Sequence, residues 1–223
     1  MKILVVAKAP RAGLVKTRLC PPLSHREAAL VAEAALADTL DAVAACGADQ
    51  RWLSLDGPCG DWLPEGFVVV EQRGATFTER LANAWADAGG PALQIGMDTP
   101  QVTAQDLDDG CCALVASPGA VLGPALDGGW WALGLMRADP RVFDGVPMNT
   151  AETGERQRQR LHALGLGPDS LPVQRDVDRW QDAVDVAGMG RAGRFDSLVT
   201  RLARTFTSTG SVGDMHPDEE GTP

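Results

Sequence analysis

Four cations, Lys8, Arg11, Lys16 and Arg18, fall within eleven residues directly after the apolar run Ile3-Leu4-Val5-Val6-Ala7. Lysine supplies a compact point charge and arginine a planar fork, so such a loop suits a di- or triphosphate. Gly13, between them, lets backbone approach a ligand closely. The segment lacks the G-x-x-x-x-G-K-[ST] spacing of a P-loop, and a solvated basic loop is the competing reading. A second candidate is Asp98, in Gly96-Met97-Asp98-Thr99-Pro100. A carboxylate at the end of a buried strand can hold a hard divalent ion, Mg²⁺ or Mn²⁺, through oxygen. It can equally cap a turn before proline.

Two further clusters accompany these. In Arg175-Asp176-Val177-Asp178, both carboxylates are candidate metal ligands beside Asp98, with only one of the two expected to reach it. Two carboxylates from distant segments on one metal is the usual arrangement for phosphate chemistry. Alternatively, Asp178 caps the helix that follows. In Asp127-Gly128-Gly129-Trp130-Trp131, a turn could present Asp127, the backbone of Gly128 and Gly129, and the Trp130 ring to a substrate, or be an ordinary Asp-Gly hairpin. Gln72 and Arg80, with Arg73 and Gly74, could edge a base or sugar pocket. Asp98, Lys16 and Asp127 are the candidate catalytic groups, and Lys8, Gly13, Lys16, Arg18, Gln72 and Arg80 the candidate nucleotide-binding ones.

Positioning these residues requires strands that end at them. Residues 2–7 read as a fully buried strand, and 52–55, 67–71 and 92–96 as further strands. Capping boxes at Ser24-x-x-Glu27, Thr76-x-x-Glu79 and Thr103-x-x-Asp106 start helices, the first reaching about Cys46 and the second about Ala88. Residues 119–136 read as two strands about the turn at 127–129, 151–165 as a helix, 173–177 as a short strand, and 179–187 and 192–206 as helices. This alternation predicts one α/β domain over residues 1–206, a three-layer sandwich with a mostly parallel sheet. Ligands of such sheets bind beyond the carboxyl ends of the strands, where these clusters fall.

Composition narrows the function classes. Against 20 Lys and Arg stand 30 Asp and Glu, a net charge of −10 over 223 residues, which argues against a nucleic-acid partner. Five cysteines, Cys20, Cys46, Cys59, Cys111 and Cys112, form no C-x-x-C, so a reduced, cytoplasmic protein is expected, with Cys111 and Cys112 as buried helix filler. No apolar run is long enough for a signal-peptide core or a membrane span. Residues 207–223 lack Lys and Arg and carry Asp214, Asp218, Glu219 and Glu220, which predicts a disordered acidic tail.

Four separated motifs, in order, resemble one family over about residues 2–187. Ala7-Lys8 through Leu19 is similar to the A-K-x-P-x-x-G-x-V-K-T-R-L opening of the glycosyltransferase-like, selenodomain-associated transferases, some named for arsenosugar biosynthesis. Gly96 through Pro100 resembles their G-x-D-[ST]-P, Gly123 through Leu135 their G-P-A-x-D-G-G-Y-Y-L-I-G-L, and Leu171-Pro172 with Asp176-Val177-Asp178 their late L-P and D-V-D. The resemblance implies the nucleotide-diphospho-sugar transferase (GT-A) fold, shared with 2-phospholactate and molybdenum-cofactor guanylyltransferases. It implies Asp98 and Asp178 as metal carboxylates, Lys16 and Arg18 facing phosphates, and Gln72 and Arg80 near the nucleoside. Differences are Ala12 for the frequent proline, Trp130-Trp131 for the Tyr pair, Met148-Asn149-Thr150 for W-S-T, and Asp98 outside any D-x-D. The expected activity is metal-dependent transfer from a nucleotide sugar to a small acceptor. The alternatives are nucleotidyl transfer from a nucleoside triphosphate with pyrophosphate release, or nucleotide binding without catalysis.

Overall fold

The computed structural model describes residues 1–210 except Pro118 and Ala192. Seven strands form one sheet in the order β3-β2-β1-β4-β6-β5-β7. They are β1 (Lys2–Lys8), β2 (Gln50–Asp56), β3 (Phe67–Glu71), β4 (Ala92–Ile95), β5 (Ala120–Pro124), β6 (Trp130–Leu135) and β7 (Pro168–Ser170). All run parallel except β6, which is antiparallel to both β4 and β5. The carboxyl ends of β1, β4 and β5 therefore face the same way as the start of β6. The apolar continuity of β1 is explained by helices on both sheet faces. Ile3, Val5 and Ala7 pack on one side with Leu36, Leu40 and Val43 of α1 (His25–Ala45) and Leu107 and Leu114 of α3 (Ala104–Ala116). Leu4 and Val6 pack on the other with Leu81 and Trp85 of α2 (Phe77–Ala88) and Leu161 of α4 (Thr153–Ala163).

Each capping box predicted from sequence forms. Ser24, Thr76 and Thr103 accept from the backbone N–H three residues on, and Glu27, Glu79 and Asp106 return the bond. Helix α1 is buried on two sides. Its second face, with Ala28, Val31 and Ala35, meets α5 (Trp180–Ala187) through Ala183 and Val186, and α6 (Arg194–Gly210) through Phe195 and Val199. That double burial is why α1 is rich in alanine and shows little polar stripe. The α5–α6 pair thus adds a layer outside α1. Helix α6 runs past the expected boundary at residue 206 to Gly210; residues 211–223 of the expected tail lie outside the described residues.

Two expectations need correction. The segment 173–177 is not a strand. Edge strand β7 lies earlier, beside β5, and only an isolated bridge joins Gln174 to Ala125. The chain leaves the sheet there because Val177 is drawn into the apolar cluster between α1, α5 and α6. The cysteine pair on α3 is not wholly buried either: Cys112 is exposed and Cys111 partly so, its thiol pushed up to about 12 chiefly by burial.

The turn between β5 and β6 is fixed against the start of α4. Gly154 N–H donates to the Gly128 carbonyl at 2.8 Å. Gly128 has φ +90°, and a Cβ there would run into the Ala151 carbonyl. Gly128→Ala should therefore cost about 1–3 kcal/mol of stability. Urea unfolding with an unchanged midpoint would show that the turn tolerates a side chain.

Candidate active site

A cleft of about 990 Å³ opens beyond the carboxyl ends of the parallel strands. Its walls come from the loop after β1, the loop after β4, the β5–β6 turn, the approach to α4, and the segment before α5. Of the sequence candidates, Lys8, Lys16, Arg18, Gln72, Arg80, Asp98, Asp127, Gly129, Trp130, Asp176 and Asp178 all line it. Gly13 and Gly128 do not. Gly13 holds φ +78° in the cationic loop, and Gly128 packs on α4, so both shape backbone rather than face the cleft.

Lys16 is the centre of the polar end. Its Nζ lies 2.8 Å from Asp98 Oδ1 and 3.2 Å from Asp178 Oδ1, and its side chain is only 11% exposed. Arg18 Nη1 reaches the other oxygen of Asp178 at 3.1 Å. Burial pulls the Lys16 ammonium toward the neutral form, but the two carboxylates outweigh it and hold the pKa above that of an ordinary lysine. The backbone is adapted to this. Lys16 (φ 48°) and Asn149 (φ 60°) are the non-glycine residues with positive φ among the described residues, and both line the cleft.

Asp178 is free to face the cations because it is not the helix cap. Arg179 is the N-cap residue, and Asp182, three residues into the helix, accepts from the N–H of Arg179 at 2.8 Å and of Asp178 at 3.3 Å. The segment is anchored from both sides. Val177 N–H donates to the Asp98 carbonyl at 2.8 Å, while its side chain is buried between the helices. With Val177 turned inward, Asp176 and Asp178 both turn to the cleft. The expectation that only one of them would come near Asp98 fails, since side chains two apart on an extended chain share a face. Asp176 has its pKa raised to about 8, first by burial and then by the charges of Asp98 and Asp127, with Lys16 opposing and Asp178 adding a little.

The remaining candidates are partly committed to the scaffold. Gln72 Nε2 donates to the carbonyls of Ala7 at 2.9 Å and Ser54 at 3.0 Å, tying the ends of β1 and β2. Arg80 pairs with Asp56 at 2.8 Å and bonds the Gly74 carbonyl. Asp127 Oδ1 accepts from Gly129 N–H at 2.8 Å, so the Asp-Gly turn forms as well as lining the cleft. Trp131 is buried, donating to the Pro172 carbonyl, while Trp130 forms wall. Sequence reasoning missed Leu14, Phe77, Met148, Asn149, Arg179 and Asp182, which also line the cleft. Only Asp182 carried a local signal, three residues into a helix; Arg179 before it is not a usual capping type.

This sheet order, with one antiparallel strand and a cleft at the carboxyl ends, defines the nucleotide-diphospho-sugar transferase fold. A Desulfovibrio desulfuricans G20 protein, provisionally named a nucleotide-diphospho-sugar transferase, has the same fold at TM-score 0.82. It is 23% identical over 93% of this chain and 96% of that one. CMP:2-keto-3-deoxy-manno-octonic acid synthetase, in a complex with CTP, is similar at TM-score 0.50 and 10% identity, covering 92% of this chain and 99% of its own. UDP-glucose pyrophosphorylase from Acinetobacter baumanii matches at TM-score 0.50 and 10% identity over 93% and 98%. The chain belongs to the family described as "uncharacterized protein conserved in bacteria (DUF2064)", whose model matches residues 29–150. That span contains Asp98 and Asp127 but neither Lys16 nor Asp178. Comparison with curated proteins gives no match. Among the described residues no helix is long and apolar enough to cross a membrane.

Asp176 makes stability depend on pH. The folded protein keeps this proton at pH values where the unfolded chain, with an ordinary aspartate near 4, has released it. In metal-free buffer its contribution should fall as pH rises from about 4 to about 8 and level off above. Asp176→Asn should remove that component, so its stability gain over the parent is greatest above pH 8. Parallel Tm-versus-pH curves for the two proteins would contradict this assignment.

Proposed function

We propose that the protein is a metal-dependent transferase using a nucleotide-activated donor, with a nucleotide sugar as the favoured donor and a small molecule as acceptor. The observation that carries this reading is the convergence of Lys16, Arg18, Asp98 and Asp178 from three separate segments at one end of a single cleft. Cations to meet a diphosphate and carboxylates to meet a divalent ion are the two requirements of moving a group off a nucleotide. The four-motif resemblance to glycosyltransferase-like enzymes supports a sugar as the transferred group. The cytidylyltransferase-type and pyrophosphorylase relatives of the fold support nucleotide use more generally.

The donor set suits Mg²⁺ or Mn²⁺. Among the described residues no three carboxylate, imidazole or thiolate groups are arranged as a metal-binding set. Mg²⁺ characteristically needs no more than one or two carboxylates when substrate phosphates complete its shell. Asp176, its pKa raised first by burial and then by the charges of Asp98 and Asp127, adds a third carboxyl group to this end of the cleft. Asp98 and Asp178 would hold the ion, and its positive charge would offset the negative charge that develops on the departing phosphate. Lys16 and Arg18 hold the diphosphate oxygens in this reading. Lys8, exposed at the end of β1, extends the cationic rim. Asp127, at the β5–β6 turn, faces the acceptor hydroxyl beside the Trp130 wall, with Gln72 and Arg80 bracing the nucleoside end.

Nucleotidyl transfer is the second reading, favoured by one observation: Asp98 stands outside any D-x-D, the usual glycosyltransferase metal motif. Free nucleoside diphosphate and pyrophosphate, assayed separately with Mg²⁺ or Mn²⁺ and a pool of acceptors, distinguish the two. Nucleoside diphosphate released from a nucleotide sugar is the expected product. Acceptor-dependent pyrophosphate from a triphosphate, with every nucleotide sugar inert, would reverse the assignment.

Asp98→Asn keeps shape and removes a charged oxygen ligand. A nucleotide at about 100 times its Kd raises stability by about 2.7 kcal/mol, enough to read in a thermal-shift panel. The variant should lose the metal-dependent part of that gain while remaining folded. Retention of the full metal-dependent shift would remove Asp98 from the site.

A further inference from the structure

The cationic loop and the carboxylates are not arranged as two separate half-sites awaiting ligands. They are paired with each other. Lys16 touches Asp98 and Asp178 at once, and Arg18 takes the second oxygen of Asp178. Lys16 thereby stands between the two carboxylates proposed to hold the divalent ion, and its own charge is spent on them. The pairing is nonetheless open. The carboxylate side chains of Asp98 and Asp178 remain 40% and 37% exposed toward the cleft, although the lysine is almost covered.

Charge balance then decides what can bind. As built, the charges of the four directly paired groups balance, two carboxylates against two cations. A divalent ion added alone leaves two surplus positive charges, or must expel Lys16 into an uncompensated position. A nucleotide-sugar diphosphate added alone brings two negative charges to cations already engaged by Asp98 and Asp178. Added together, the ion takes the carboxylates and the released Lys16 and Arg18 take the diphosphate, so the balance is restored. Uncompensated charge in a partly desolvated site is what costs most.

We propose that Lys16 is an internal stand-in for the divalent ion, exchanged from Asp98 and Asp178 onto the donor diphosphate when metal and nucleotide bind together. The exchange rests on the function proposed above and gives it a consequence. The nucleotide-free protein binds metal poorly, and Lys16 is the reason. Metal and donor each raise the other's affinity, as linkage requires. Lys16 acts here as a positioning residue for the metal carboxylates and, after exchange, as a phosphate ligand.

The test is Mn²⁺ binding, read from the paramagnetic resonance signal of the free ion, with no turnover needed. The proteins are wild type, Lys16→Gln, Lys16→Met and Lys16→Arg, each checked for native circular dichroism, without donor and with UDP-glucose or GDP-mannose as probes. Without donor, the Gln and Met variants should bind Mn²⁺ about tenfold or more tightly than wild type, because their carboxylates have lost the competing cation. Lys16→Arg, which keeps the cation, should stay near wild type. A probe sugar nucleotide should raise Mn²⁺ affinity in wild type and do so far less in the Gln and Met variants. If Gln and Met variants bind Mn²⁺ no better than wild type while donor still promotes binding to wild type, the exchange is wrong and the metal-dependent transferase reading stands. If Arg binds Mn²⁺ as tightly as Gln, charge is not what excludes the metal, and the exchange is again overturned. If no folded protein binds Mn²⁺ with or without either probe, the metal reading falls and the exchange falls with it.

Discussion

Everything at the polar end of the cleft depends on one buried ammonium. Lys16 is held by Asp98 from the loop after β4 and by Asp178 from the segment before α5, across 162 residues of chain in the second case. A half-buried carboxylate pair without a counter-ion would repel itself, and an almost covered lysine without partners would lose its proton. The two carboxylates keep the lysine charged despite its burial. Asp176, buried beside them and close to the charges of Asp98 and Asp127, responds by holding its proton.

Sheet topology makes that meeting possible. Strands β1 and β4 are adjacent and parallel, so the cationic loop and the Asp98 loop leave the sheet side by side. The third contributor arrives differently. Residues 173–178 abandon the sheet after a single bridge and are pinned by Val177, its backbone on Asp98 and its side chain in the α1–α5–α6 cluster. The extra helical layer thus serves the site: it is the apolar anchor that turns Asp176 and Asp178 toward the cleft. The turn carrying Asp127 is fixed in turn by close backbone packing of Gly128 and Gly154 against their neighbours around the start of α4.

For the proposed function, a phosphorylated donor would meet long-range repulsion from the chain's net charge of −10. The cleft meets this locally. Cations are concentrated after β1, and surrounding residues such as Gln72 and Arg80 engage donors to brace strand and loop ends. Rigid walls with a few uncommitted groups are what a site needs to orient a flexible sugar nucleotide.

The sequence by itself determined the local signals. Three capping boxes start α1, α2 and α3, continuous apolar runs mark strands buried on both faces, and the cation-rich loop and Asp98 fall where such strands end. Those patterns are written by residues a few positions apart, so they can be read without the fold. Tertiary structure decided what depends on distant partners. It moved the last strand from 173–177 to Pro168–Ser170, because edge pairing with β5 and the pull of Val177 into a helical cluster are not encoded within that segment. It made Arg179 the N-cap of α5, with Asp182 accepting from the backbone N–H ahead of the helix, and so left Asp178 for Lys16. It engaged Gln72 and Arg80 with the scaffold through groups on β1, β2 and the Gly74 loop. Above all it joined Lys16 to both carboxylates. Side-chain types reveal which charges exist, but only the folded backbone decides which of them meet.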